Sequence, residues 1–197
     1  MPDPNAPAPS QTVMEFLLAR RSRPAKMLTT PVPDRAALEV LLQAAARVPD
    51  HGKLEPWRFI VLEKPALERL AELARARGAA LGLDPERIDK GAAQYEGADL
   101  VVAVVASPKP SESIPKVEQT LSAGAACLSL LNAALASGWG ACWLTGWAAH
   151  DRAFVTEGLG LGAEEFIAGM IHIGTERRTP PERPRPDMAA ITTWVEV

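Results

Sequence analysis

The most constraining feature of this chain is one long apolar segment, KVEQTLSAGAACLSLLNAALAS, which predicts a helix over residues 116–137. At about 1.5 Å per residue, such a helix is about 30 Å long. Its residues are small or apolar on nearly every side, which is typical of a helix that is buried all round. Ser122, Ser129 and Asn132 interrupt the apolar run, so it does not fit a membrane span. The rest of the chain is expected to pack around this helix, whose small residues would let a second helix approach closely.

Helical and strand-like segments alternate along the remaining sequence. A first helix is predicted from Thr12, with Thr12 and Glu15 as a capping box, and a second helix is predicted after the N-cap Asp34. Residues 65–95 indicate a charged, Ala-rich helical surface segment that is broken near 82–85. Strands are predicted at 57–63, 98–107, 140–147, 166–173 and in the final ITTWVEV. This order predicts an α+β fold in which helices flank a mixed β-sheet around the long helix.

Length and composition indicate one domain. The chain has 197 residues, of which 47% are hydrophobic, and that is enough to bury a sizeable core. Residues 1–11 are Pro-rich and polar and predict a disordered lead-in, which leaves 12–197 as the folded domain with a C-terminal arm from about 176. The formal charge of -3 argues against a nucleic-acid partner.

The cysteines and histidines indicate neither a disulfide nor a metal site. Cys127 and Cys142 lie in apolar stretches without a CxxC partner, so we expect two buried, reduced thiols. The three histidines are scattered and show no metal-ligand spacing. The N-terminus lacks the apolar core of a signal peptide, so a cytoplasmic protein is expected.

The triplet Arg20-Arg21-Ser22 lies at the predicted end of the first helix. Two arginines there could simply neutralise the negative helix end. Alternatively, two guanidinium groups and a hydroxyl could bind an anion such as a phosphate. Arg20 continues the apolar face of the helix, and a part-buried arginine needs a partner. The sequence therefore favours the anion site.

The segment RVPDHGKLEPWRF, residues 47–59, is unusually rich in charge for a connector between a helix and a strand. A single histidine such as His51 is most often a satisfied polar residue. Here Asp50 precedes His51, and Arg47 lies one turn back on the preceding helix. This grouping favours a polar ligand at the end of the helix.

Two further segments have both a structural and a functional interpretation. Residues 140–146, GACWLTG, are explained most simply as a tight buried strand, although the glycines would also allow a planar ligand to approach. Arg183 and Arg185 belong to a basic arm that is either solvated or a second set of phosphate donors. No nucleophile–base pair is evident, so anion donors and apolar walls point to cofactor chemistry.

Taken together and in this order, the motifs resemble those of the FMN-dependent nitroreductase family, in its short single-domain branch. RRSRP resembles the family's opening R-R-S motif, and ARVPDHGKLEPWRFIVL resembles its A-P-S/D-x-x-x-x-Q-P-W-x-F segment. The S-A-G of the long helix, the S-G-W-G-A-C-W-L-T-G run, the I-G-T strand end and the late R-P-R-P also match. The resemblance covers Thr12 to the C-terminus.

The resemblance implies a homodimer with two FMN sites at the subunit interface and NAD(P)H as electron donor. Arg20, Arg21 and Ser22 would bind the flavin phosphate and ribityl chain, and Arg185, together with Arg183, would add to the phosphate grip. Trp143, Leu144 and Thr145 would line the isoalloxazine ring, whereas Arg47 and His51 would contact the flavin from the other subunit. The long helix would form much of the dimer core, and the C-terminal arm would reach over the partner.

The implied activity is hydride transfer from NAD(P)H, by way of the flavin, to an electron-poor acceptor such as a nitroaromatic or a quinone. No catalytic residue is assigned, because solvent can supply the protons. Two alternatives stay open: a flavin-binding dimer without turnover, and a flavin-fragmenting or dehalogenating relative on the same scaffold. That relative would differ in its lid, which the resemblance places at residues 65–95 and 108–116. The chain departs from the family at Glu55, where a Gln is usual, and at Leu144, where near relatives carry an Arg. His51 or Lys53 would then have to supply positive charge near the ring.

Overall fold

A computed structural model describes residues 10–196 and contains, within that range, seven α-helices and five β-strands. The helices are α1 (Gln11–Ala19), α2 (Arg35–Ala45), α3 (Lys64–Ala80), α4 (Pro85–Glu96), α5 (Lys116–Ala136), α6 (Arg152–Leu159) and α7 (Met188–Ile191). The strands are β1 (Leu28–Thr29), β2 (Trp57–Glu63), β3 (Leu100–Ala106), β4 (Gly140–Leu144) and β5 (Phe166–Glu176). This arrangement confirms the predicted α+β class.

The strands form one sheet in the order β1-β5-β3-β2, and β4 also pairs with β5. Each of these pairings between described strands is antiparallel, so the sheet of one chain differs from the mixed sheet that was expected. In the β4–β5 register, Cys142 lies opposite His172. The long strand β5 therefore pairs with three strands, β1, β3 and β4.

Every residue of β3 is buried, as its continuous apolar sequence predicts. Val101, Ala103 and Val105 face a core that α3, α4 and α6 complete on one side of the sheet. Val102 and Val104 face a second core, which α2 and α5 complete on the other side. The sheet is thus the middle of three layers.

The prediction that residues 65–95 form a surface segment is wrong for one face of both helices. Leu67 and Leu70 of α3 and Tyr95 of α4 are fully buried. The small residues Ala71 and Ala74 give α3 a flat inner face that packs closely, while its charged residues point outward. A helix anchored in this way is part of the core and does not form a mobile lid.

The prediction that α5 is buried on all sides is also wrong for the single chain. Its inner face, including Cys127 and Leu130, packs in the second core. On its outer face Val117, Leu121 and Leu128 are exposed, Leu121 to 67%. By length and composition alone α5 could cross a membrane, but its packed inner face is that of a core helix.

Both chain ends differ from the sequence predictions. The side chain of Ser10, rather than Thr12, caps α1, so Gln11 is helical and not part of a lead-in; the rest of that predicted segment, residues 1–9, lies outside the described residues. Val13 and Leu17, expected on a buried face, are exposed. Residues 192–196 of the predicted C-terminal strand have no regular structure, and Trp194 is 87% exposed. None of the described strands pairs with this apolar end.

Candidate functional site

The end of α1, the end of α4, strand β4 and the C-terminal arm surround a cleft of about 1130 Å³. The chain that follows α1 is attached to β4 at this cleft. The backbone N–H of Arg23 donates a hydrogen bond to the carbonyl of Ala141 over 2.8 Å. Six of the nine predicted site residues line the cleft: Arg20, Arg21, Ser22, Trp143, Leu144 and Arg185. The sequence motifs at 20–22, 143–144 and 185 are therefore brought together in one place.

Arg20 and Arg21 present guanidinium groups whose hydrogen-bonding capacity is only partly used. The Nε atom of Arg20 and an Nη atom of Arg21 are buried and have no hydrogen-bond partner among residues 10–196. Arg20 makes one long contact, from Nη2 to the Ser22 hydroxyl at 3.4 Å. Burial, and then the nearby charge of Arg185, lower the pKa of Arg20. Part-buried cations without partners are costly, so an anion at this end of α1 would be stabilised by the two arginines.

Arg185 connects the C-terminal arm to the same place. Its guanidinium lies 3.5 Å from the carbonyl oxygens of Ala19 and Arg20, at the last turn of α1. Cations at a helix C-terminus interact favourably with its partial negative charge. The neutralising role that the sequence allowed for Arg20 and Arg21 is thus performed by Arg185, which leaves Arg20 and Arg21 facing the cleft.

The wall opposite the arginines is formed by β4. The indole N–H of Trp143 donates to the carbonyl of Ala168 over 3.2 Å, and any side chain at Gly169 would overlap this ring. Trp143 and Leu144 line the cleft, but Thr145, the third residue predicted for this wall, is not among the residues that line it. After Leu144 the chain turns through Gly146, whose positive φ of 79° brings it against Gln94.

Arg47 and His51 do not line the cleft of their own chain. The imidazole Nδ1 of His51 lies 2.8 Å from a carboxylate oxygen of Glu118, in the first turn of α5. Asp50 holds the loop, since its carboxylate accepts hydrogen bonds from the backbone N–H groups of Leu54 and Glu55. Hydrogen bonds therefore fix the conformation of this segment, but in one chain it lies apart from the arginine cluster.

The cleft contains residues that the sequence analysis did not single out, namely Lys26, Gln94, His172, Arg177 and Glu182. Lys26 could have been suspected from its place directly after RRSRPA. His172 is almost fully buried, its Nε2 has no partner, and burial lowers its pKa to about 4, so the imidazole is neutral at pH 7. Glu182 could have been suspected from its place directly before the R-P-R-P motif, whereas Gln94 lies in no motif.

The two thiols are reduced and buried, as predicted. Burial raises the pKa of Cys142, which lines the cleft, to about 11 and that of Cys127 to about 12. Thiols that stay protonated at neutral pH are poor nucleophiles. The cleft is therefore a binding site with a cationic end and an aromatic wall rather than a nucleophilic centre.

Solved structures share this fold. A nitroreductase-like family protein from Bacillus cereus aligns with a TM-score of 0.75 at 21% identity, covering 97% of this chain and 100% of its own. A nitroreductase with bound FMN from Bacteroides fragilis aligns with a TM-score of 0.73 at 22% identity, covering 95% of this chain and 100% of its own.

Sequence comparison is more specific. YdjA of Escherichia coli K12, whose name assigns it to the NAD(P)H nitroreductases, is 35% identical over 162 residues, which are 82% of this chain and 87% of YdjA. The sequence model of the Nitroreductase family matches residues 17–175, from α1 to the end of β5. The chain belongs to the nitroreductase family.

Proposed function

We propose that this protein is an FMN-dependent oxidoreductase that uses NADH or NADPH as electron donor. The observation that carries the proposal is the unpartnered, part-buried guanidinium pair of Arg20 and Arg21 in a cleft with an aromatic wall. Family membership supports it, as do the bound FMN of the Bacteroides fragilis nitroreductase and the name of YdjA.

The residues of the cleft fit FMN in charge and shape. A phosphate monoester offers three oxygen atoms, and Arg20, Arg21 and Arg185 can donate to them through planar forks, with the Ser22 hydroxyl beside them. Trp143 and Leu144 would lie along the isoalloxazine ring, which needs an apolar surface. The turn at Gly146 would let backbone groups near Thr145 approach that ring.

When bound, FMN would supply a ring that accepts hydride from NAD(P)H and passes electrons to an electron-poor acceptor, for which nitroaromatics and quinones are the proposed class. The chain's own residues would bind and orient the cofactor, exclude water from one side of its ring and balance its negative charge. We assign no side chain as a general acid, since solvent can provide the protons. The cytoplasm stays the predicted location.

The functional unit is proposed to be a homodimer. Exposed apolar side chains occur on α1, on the outer face of α5 and on the C-terminal segment, among them Leu18, Leu121 and Trp194. Exposed apolar side chains in such numbers favour a protein interface, because an apolar surface gains stability when a partner covers it. In such a dimer Arg47 and His51 of one subunit would reach the cleft of the other, and the arm would cover its partner.

The first test is a visible absorption spectrum of the purified protein, followed by anaerobic addition of NADH or NADPH. The proposal predicts flavin bands at close to one FMN per chain, bleaching with at least one nicotinamide, and parallel double-reciprocal plots with a quinone acceptor. A protein that neither contains nor takes up FMN would refute the cofactor assignment.

The same assay separates the two alternative functions. Bound flavin that no nicotinamide bleaches would indicate a flavin-binding protein without turnover. Consumption of free reduced flavin, or of halogenated phenols, in place of quinones would indicate the flavin-fragmenting or dehalogenating relative.

The dimer is tested by sedimentation equilibrium. Leu121→Asp should convert a wild-type dimer into monomers and release FMN, whereas Leu81→Asp, an exposed leucine after α3, should do neither. Mixing Arg20→Met with His51→Ala subunits then checks the shared site. Mixed dimers should regain FMN at one of their two clefts, and failure to regain any would contradict the assignment of His51 to the partner's cleft.

A further inference from the structure

The charges that line the cleft are strongly unbalanced. Among its described residues, one acidic side chain, Glu182, stands against six basic ones: Arg20, Arg21, Lys26, Arg177, Arg183 and Arg185. The chain as a whole is acidic, with a formal charge of -3. Acidic residues are common in the chain as a whole but rare in this cleft, so the position of Glu182 needs an explanation of its own.

Glu182 lies directly on the proposed phosphate donors. One of its carboxylate oxygens is 3.0 Å from Nη2 of Arg185 and accepts a hydrogen bond from the backbone N–H of Arg183 at 3.1 Å. The Arg183 N–H, together with the charges of Arg185 and Arg21, holds the pKa of the Glu182 carboxyl below its ordinary value. The carboxylate is therefore ionised and attracted to Arg185 and Arg21, two of the five arginines that line the cleft.

The Nη2 atom of Arg185 can serve only a limited number of acceptors. In this structure it is shared between the Glu182 carboxylate and, at a longer 3.5 Å, the carbonyl of Ala19. A phosphate that entered the cleft would compete for the same planar donor and would be repelled by the carboxylate charge. Arg185 therefore cannot donate equally strong hydrogen bonds to Glu182 and to a phosphate at the same time.

We propose that Glu182 is an internal counter-ion of the arginine cluster, which the phosphate of the cofactor must displace from Arg185, and that it thereby sets the affinity of the site for phosphate-bearing ligands. This inference rests on the proposed function, since it requires the cluster to bind a phosphate group. The proposal has an unusual consequence for a residue that lines a binding cleft: removal of the negative charge of Glu182 strengthens the binding of phosphate.

The experiment compares wild type with Glu182→Gln and with the control Glu68→Gln, which removes the same charge from an exposed position on α3. Each protein is stripped of flavin and titrated with FMN, with inorganic phosphate and with riboflavin, which lacks the phosphate. Because exposed charge pairs are typically worth little, Glu182→Gln should bind FMN and inorganic phosphate about two- to fivefold more tightly. The gain should shrink as salt is raised, because salt screens exposed charges.

The two controls make the result specific. Glu68→Gln should match wild type with every ligand, and Glu182→Gln should match wild type with riboflavin. Equal or weaker binding of both FMN and phosphate by folded Glu182→Gln overturns the inference, and so does an equal gain with riboflavin. If wild type binds phosphate but not FMN, and Glu182→Gln binds phosphate more tightly, the counter-ion role stands and the FMN proposal falls. If no variant binds either anion, both are wrong.

Discussion

Substitution of Arg20 by methionine should have opposite effects on cofactor binding and on the stability of the empty protein. Methionine keeps most of the unbranched side chain and removes the guanidinium. In the empty protein Arg20 has a buried Nε without a partner, and the charge of Arg185 lies nearby. Its removal therefore takes away an unfavourable charge, together with one long contact of 3.4 Å to Ser22.

The expected magnitudes follow from these contacts. A hydrogen bond to a charged group contributes about 1.5–3 kcal/mol, so the loss of one phosphate donor should raise the Kd for FMN about tenfold to one hundredfold. At a concentration of one hundred times the wild-type Kd, FMN stabilises the folded state by about 2.7 kcal/mol. If the Kd rises about thirtyfold, that stabilisation falls to about 0.9 kcal/mol at the same concentration.

The assay is urea unfolding of the flavin-free and FMN-loaded proteins, with circular dichroism as the measure of the folded fraction. Without FMN, Arg20→Met should be as stable as wild type or up to about 1 kcal/mol more stable, because burial of an unpaired charge opposes folding. Arg35→Met, a control on an arginine whose side chain is 93% exposed, should change neither quantity. The reasoning is refuted if Arg20→Met destabilises the empty protein by more than about 1 kcal/mol and keeps its full stabilisation by FMN, since Arg20 would then be structural.

Three further predictions concern the scaffold. Ser122→Ala removes the acceptor of an indole N–H and the donor to a backbone carbonyl, so urea unfolding should show a loss of about 1–3 kcal/mol. The Arg58 guanidinium holds the pKa of Glu165 down to about 2, so stability should be lost as pH falls from about 4.5 towards 2, and this slope should flatten in Arg58→Met. Gly91→Ala would place a Cβ on the indole of Trp147, so it should lower the melting temperature by about 2–8 °C, although alanine normally favours a helix.

The elements that the sequence predicted well are those set by local patterns. The continuous apolar run of β3 was confirmed as a strand buried on both faces. Asp34 caps α2 as expected, with its carboxylate 2.8 Å from the N–H of Ala37. In each case the chemical signal lies within a few residues of the structure that it determines.

The features that the sequence did not predict depend on distant contacts. The charged sequence of α3 concealed a buried face, because alanine contributes little hydrophobicity but allows close packing on Phe154 and its neighbours. Glu182 and Gln94 enter the cleft only because the arm passes beside the cleft and α4 ends there. The capping box at Thr12 failed because Ser10 offers an equivalent hydroxyl two residues earlier. Local propensity alone cannot choose between two such caps.

The loop from Asp50 to Glu55 has more backbone strain than a simple connector requires. Lys53 and Glu55 have positive φ angles of 54° and 48°, and non-glycine residues in that region cost about 1–3 kcal/mol each. The Asp50 carboxylate offsets part of this cost through its bonds to the N–H groups of Leu54 and Glu55. The loop thereby presents His51 and Lys53, both exposed, on a fixed backbone outside the cleft of its own chain. We infer that this geometry serves a surface that the single chain does not contain, which is what a cleft completed by the partner subunit requires.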